Sequence, residues 1–192
     1  MQSLYETHKL LTYPRTDSRY LSQDIVGTLK ERLQAIRIDV YEPFAKELLK
    51  NGYKISRRFV DDSKVSDHHA IIPTEEYVEL QRLSPNEKKI YDLVVRRFLA
   101  VLSMPSEYEK TKIHAVCEHM DFYASGRIMK TDGWRALYQK NERFDEDEEL
   151  DDDQNLPSLA KGQQYPIKDV RITSHFTKAP ARYTEATLLS AM

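Results

Sequence analysis

The sequence predicts an α+β chain, helical to about Met104 and built of antiparallel strands over much of 105–192. Three observations carry this. Apolar residues recur every three or four positions before residue 104, they alternate with polar ones after Pro105, and the change falls at Met104-Pro105, where proline ends a helix.

Taken in order, Ser3–Leu10 has the pattern of the tail of a helix. Ile25, Val26, Leu29, Leu33 and Ile36 follow the capping candidate Ser22 at helical spacing. A second helix is expected from about Pro43, with Phe44, Leu48 and Leu49 on one face and a stop at Asn51-Gly52. The third has the strongest start: Ser84-Pro85-Asn86-Glu87 supplies a cap, a first-turn proline and a glutamate at the third position ahead of the apolar stretch Ile90–Leu102. Beyond Pro105, Thr111, Ile113, Ala115 and Cys117 alternate with their neighbours, Phe122–Met129 and Ile167–Thr173 are further strand candidates, and Asp132-Gly133 marks a turn. Thr184 is placed to cap a short helix over Glu185–Met192. A helix that runs to the last residue, and another that opens the chain, are expected of a piece of a longer protein.

The 192 residues include 29 basic and 31 acidic side chains, a formal charge of −2. Nine of the acids lie between Glu142 and Asp153 with one base, Arg143, leaving 28 basic and 22 acidic residues elsewhere, a balance of +6. A mildly basic body beside an acidic run suits a nucleic-acid partner without requiring one. The run, 142–155 with its flanks, reads as a solvated loop. No apolar stretch is long enough to span a membrane, and the first residues lack the pattern of a signal peptide. A single cysteine, Cys117, excludes an internal disulfide and a multi-cysteine zinc site, so a reducing cytoplasm is expected.

Three clusters hold reactive residues. In Thr12-Tyr13-Pro14-Arg15-Thr16-Asp17-Ser18, Pro14 forces its predecessor into extended or turn backbone. Residues two apart then share a face, which would set the Arg15 guanidinium beside the Tyr13 phenol. A phenol can attack phosphorus, and a planar cation can stabilise charge on the non-bridging oxygens. The same residues also compose an ordinary polar turn. In Asp67-His68-His69-Ala70-Ile71-Ile72-Pro73-Thr74, adjacent histidines point apart, so one of them donating to a phosphate or orienting a nucleophile is chemically simpler than both binding one metal. A cap or a polar filling role is the alternative. Lys178-Ala179-Pro180-Ala181-Arg182-Tyr183-Thr184-Glu185-Ala186-Thr187 is a loop running into a capped helix.

Together and in this order, the three clusters resemble type IA DNA topoisomerases, with the histidine pair and the proline after Tyr13 similar to the topoisomerase III branch. The resemblance implies a helical domain carrying the catalytic tyrosine over 1–104, and a segment of a β-rich arch over 105–192. It implies Tyr13 as the nucleophile toward single-stranded DNA, Arg15 at the scissile phosphate, His68 on the nearby backbone and Asp17 as a further DNA contact. For Asp17, turn bonding with Thr16 or Ser18 is an equal reading of the residues. An ordinary phenol, with a pKa near 10, is ionised to about one part in a thousand at neutral pH and needs help. In the family, help comes from a metal-binding N-terminal domain that carries magnesium. No such domain is expected within these residues, so it becomes a partner, and the chain alone should bind single-stranded DNA weakly without cleaving it. A second hypothesis from another class is a non-catalytic nucleic-acid or partner-binding module, with Tyr5, Tyr13, Tyr20 and Tyr53 used for packing or base stacking.

Overall fold

The computed structural model describes residues 1–138, 156–157, 159–177 and 179–192. The acidic run, Ser158 and Lys178 lie outside the described residues. The chain divides into two units, Met1–Leu156 and Pro157–Met192. The first carries α1 (Gln2–Glu6), α2 (Leu29–Ala35), α3 (Glu42–Asn51), α4 (Pro85–Leu102), β1 (Glu107–Cys117) and β2 (Met120–Thr131), with short 3-10 turns between them. The regular element of the second is α5 (Glu185–Ala191). Helices with one antiparallel strand pair make this an α+β chain. Among the described residues no helix is long and apolar enough to cross a membrane.

Helix α4 is the spine of the first unit. The Ser84 hydroxyl accepts from the Glu87 N–H at 3.4 Å, and the Glu87 carboxylate accepts from the Ser84 N–H at 2.8 Å, so two otherwise orphaned donors are satisfied. Tyr91, Val95, Phe98, Leu99 and Leu102 then face inward at helical spacing. They join Leu4, Leu29, Leu33 and Ile36 in a core where Leu4, Leu29, Leu33, Ile36, Val95 and Leu99 are fully buried. Helix α3 begins with Pro43 in its first turn and ends where Gly52 takes φ +81°, a conformation that favours glycine.

Two expectations need correction. The pattern from Ile25 to Ile36 is not one helix: Gln23–Thr28 is a 3-10 turn, and α2 starts only at Leu29. Ile25, Val26, Gly27 and Thr28 are weak helix formers. The Thr28 hydroxyl also donates to the Ile25 carbonyl at 2.9 Å, closing a local turn. Ser22 caps without a side-chain hydrogen bond. Ile167–Thr173 forms no strand. Val170 and Ile172 are exposed, and the one sheet among the described residues consists of β1 and β2, so alternation alone did not make this segment a strand.

The strand pair runs from Glu107↔Thr131 to Cys117↔Met120. Its two turn residues, Glu118 and His119, both have left-handed φ, 48° and 66°, as a tight hairpin turn of right-handed strand twist demands. At the other end Gly133 has φ +52°, and a Cβ there would lie 2.3 Å from the Pro105 carbonyl oxygen. Only glycine permits that approach. The Trp134 N–H donates to the Met104 carbonyl at 2.9 Å, so the exit of the hairpin is tied to the end of α4.

Candidate active site

The first two reactive clusters meet. After α1, Lys9 takes φ +58° and turns the chain so that Leu11 bridges Pro73 antiparallel. The Thr12 N–H donates to the Ile72 carbonyl and the Thr74 N–H to the Leu10 carbonyl, both at 3.0 Å. Pro73 has no N–H and cannot extend the ladder, so side chains complete it. The Thr12 hydroxyl accepts from the Ile72 N–H at 3.0 Å, and the Thr74 hydroxyl donates to the Lys9 carbonyl at 2.5 Å. Further along, the Thr16 hydroxyl donates to the His68 carbonyl at 2.9 Å.

These bonds set Tyr13 against His68. Their ring centroids are 4.2 Å apart with the planes tilted 35°. Tyr5 meets Tyr13 edge-on at 5.4 Å. The phenol is therefore half-buried in an aromatic slot. His69 is engaged elsewhere: its Nδ1 lies 2.7 Å from the Ala70 carbonyl, an arrangement that places the proton on Nδ1. Arg15 and Asp17 are exposed, and among the described residues neither makes a hydrogen bond or ion pair. Among the described residues the aromatic neighbours of Tyr13 are thus Tyr5 and His68. Turn bonding, one reading of Asp17, falls to its neighbours. The Thr16 hydroxyl accepts from the Ser18 N–H at 3.1 Å, and the Ser18 hydroxyl accepts from the Tyr20 N–H at 3.1 Å and donates to the Lys64 carbonyl at 2.9 Å.

Several supporting residues carried no signal in the sequence. Arg32 is 6% exposed. Its Nη1 donates to the Pro73 carbonyl at 2.6 Å, its Nε to the Thr28 hydroxyl at 2.8 Å, and its Nη2 pairs with Glu75 at 2.7 Å. Burial pulls the Arg32 pKa down, and Glu75 opposes that shift. The guanidinium fork thus holds the 70–75 segment from behind. Under α1, the Ser3 hydroxyl donates to Glu87, and His8 Nε2 lies 3.4 Å from the same carboxylate. The bonds from Ser3 and then Ser84 draw Glu87 down to about 2. Lys64 lies over the Tyr20 ring at 4.4 Å and donates to its hydroxyl at 3.1 Å, while Tyr53 packs on the core. In the third cluster Thr184 caps α5, accepting from the Thr187 N–H at 3.2 Å.

The residues present do not fit a magnesium site. Magnesium takes oxygen ligands in near-octahedral array, usually with one or two carboxylates. The Tyr13 segment offers the single carboxylate of Asp17, and among the described residues no three His, Cys, Asp or Glu side chains gather to hold a metal.

The helical body presents a half-buried tyrosine against a histidine, with an exposed arginine and aspartate on the same loop. The family model of DNA topoisomerases matches residues 1–192, and the chain belongs to that family. Its relatives include the DNA topoisomerase 3 of Bacillus licheniformis, 51% identical over 192 residues, that of Bacillus cereus, 53% over 194, and that of Bacillus subtilis, 50% over 192. Each match covers all of this chain and 26% of the relative, so the chain spans about a quarter of the length of the curated relatives it matches.

Proposed function

We propose that this chain is the tyrosine-bearing part of a cytoplasmic type IA topoisomerase that relaxes or decatenates DNA without ATP. The Tyr13 phenolic oxygen attacks a phosphodiester of single-stranded DNA. A bond forms between that oxygen and the 5′ phosphate, the bond from phosphorus to the 3′ oxygen breaks, and the 3′ hydroxyl leaves with a proton. Religation is the reverse step, so the bond energy is conserved while a second strand passes. Arg15 stabilises charge on the phosphoryl oxygens, His68 binds the adjacent backbone, and Asp17 completes the contact set. On this reading residues 1–104 are the helical catalytic-tyrosine domain and 105–192 a segment of the arch. Magnesium belongs to a metal-binding domain outside these residues, which is the partner that completes the site.

The observation that carries the reading is the 4.2 Å contact between Tyr13 and His68, two residues of separate motifs held together by a continuous set of threonine and backbone bonds. Arg15, exposed and unpaired among the described residues, is available to an anion beside them. The test is Tyr13→Phe in the full-length enzyme, which keeps the ring contacts and removes the attacking oxygen. After incubation with labelled single-stranded DNA and a denaturing quench, the parent is expected to carry a covalent adduct and the variant none, with binding retained. An adduct on the Phe variant would refute the assignment.

A further inference from the structure

Attack on phosphorus requires the Tyr13 oxygen to point one way, and reacting atoms misplaced by about 1 Å can cost roughly a hundredfold in rate. Among the described residues the Tyr13 hydroxyl makes no hydrogen bond, so contacts of the ring are what aim it. His68 supplies one of them, at 4.2 Å. A single neighbour leaves a ring free to turn away from it, and a second neighbour from a separate segment removes that freedom. The second is Tyr5, its ring centroid 5.4 Å from that of Tyr13 and its plane at 85°.

Folding makes little use of the Tyr5 ring. Leu4 beside it is fully buried, whereas Tyr5 is half-buried and lies outside the core cluster, and among the described residues its hydroxyl makes no hydrogen bond. The Lys9 ammonium lies over the ring, 5.8 Å from its centroid, so one face is already covered by a cation. Helix α1 is nevertheless a firm support. Leu4 anchors it in the core, and the Ser3 hydroxyl donates to Glu87. The Leu10 N–H donates to the Leu4 carbonyl at 2.8 Å, closing the left-handed reversal at Lys9 that brings residues 5 and 13 together.

We propose that Tyr5 is a positioning residue for the Tyr13 nucleophile: its ring holds the phenol in the attitude from which it attacks, and its hydroxyl takes no part. The proposal rests on the reading of Tyr13 as the nucleophile. It separates Tyr5 from a base-stacking residue, which would set affinity for the strand and not the rate of attack.

The test reads rate and affinity separately in the full-length enzyme. Rate is single-turnover adduct formation on labelled oligothymidylate with magnesium. Affinity is the anisotropy of the same oligonucleotide in a Tyr13→Phe background, where no adduct is expected to form. An aromatic pair contact corresponds to a factor of roughly 2–12 in the population of the held ring, so Y5L is expected to slow adduct formation about fivefold with affinity within about twofold of the parent. Y5F keeps the ring and is expected to react at the parent rate. Y77L removes an exposed ring outside the slot and is expected to change neither quantity. A parent-like rate in Y5L, a Y5F as slow as Y5L, an equal loss in Y77L, or rate and affinity falling together in Y5L would each overturn the proposal; the last would make Tyr5 a packing or stacking residue. An adduct on the Tyr13→Phe enzyme would instead refute the reading of Tyr13, so the two failures are distinguishable.

Discussion

Arg32→Met asks whether the site is held from behind. Methionine replaces much of the arginine stem, so the substitution removes bonds with little change in packing. Three interactions go: the donation to Pro73 at 2.6 Å, the donation to Thr28 at 2.8 Å, and the Glu75 pair at 2.7 Å. Removing one partner of a buried ion pair typically costs 3–5 kcal/mol. Here Glu75 is 39% exposed and regains water, which places the cost lower. What remains is the orphaned Pro73 carbonyl, at about 1–3 kcal/mol, and a weakened Thr28 turn. A total of about 2–3 kcal/mol corresponds to a fall in Tm of roughly 4–12 °C for a unit of this size. The loss should be local as well as global, because Pro73 adjoins the Thr12–Ile72 bond. Amide exchange at Thr12, Ile72 and Thr74 is expected to quicken more than exchange in α4. Arg32→Lys should fall between parent and Met, since one ammonium cannot span the three acceptors. A Tm for Arg32→Met within about 1 °C of the parent, or exchange at Thr12 and Ile72 no faster than before, would refute the idea that Arg32 holds this segment.

Arg15→Lys in the full-length enzyme keeps the charge but loses the planar fork, so the rate of adduct formation is expected to fall about tenfold or more with little change in DNA affinity; unchanged single-turnover kinetics would make Arg15 a surface residue. Glu87 should produce a pH signature. Its folded pKa, about 2, lies below the ordinary 4.5, so its contribution is present in full above about pH 4.5 and is lost as the pH falls toward 2. Glu87→Gln removes that titration, and its melting temperature should fall less steeply than the parent's across this window. Parallel curves would show that the carboxylate is not coupled to folding.

Features with a local cause were legible in the residues. The α4 start follows from Ser84, Pro85 and Glu87, the α3 stop from Gly52, and the hairpin exit from Gly133, and each is visible within four positions of sequence. The hairpin turn carries no such mark, because Glu118 and His119 occupy left-handed positions where asparagine and glycine are the usual signal. The α2 region misled for a related reason: apolar spacing reports which face is buried, and a 3-10 turn followed by a short helix can bury nearly the same residues as one longer helix.

The site divides along the same line. Its reactive residue types stand in two short motifs, but the contact between them depends on a left-handed Lys9, on hydroxyls that substitute for missing ladder bonds, and on Arg32 behind Pro73. None of these has a sequence pattern. Threonine at 12, 16 and 74 reads as polar surface until the partner carbonyls of Ala70, His68 and Lys9 are in place. The i, i+2 rule set Arg15 beside Tyr13 on the premise of a regular extended segment. The backbone is irregular from Thr12 to Tyr20, and the ring is flanked by Tyr5 and His68, from segments that only the fold brings near. With its ring engaged by Tyr5 and His68, the tyrosine is held in place by the protein alone. On the proposed reading, Arg15 and Asp17, free of protein partners among the described residues, are the groups left to adapt to the bound strand.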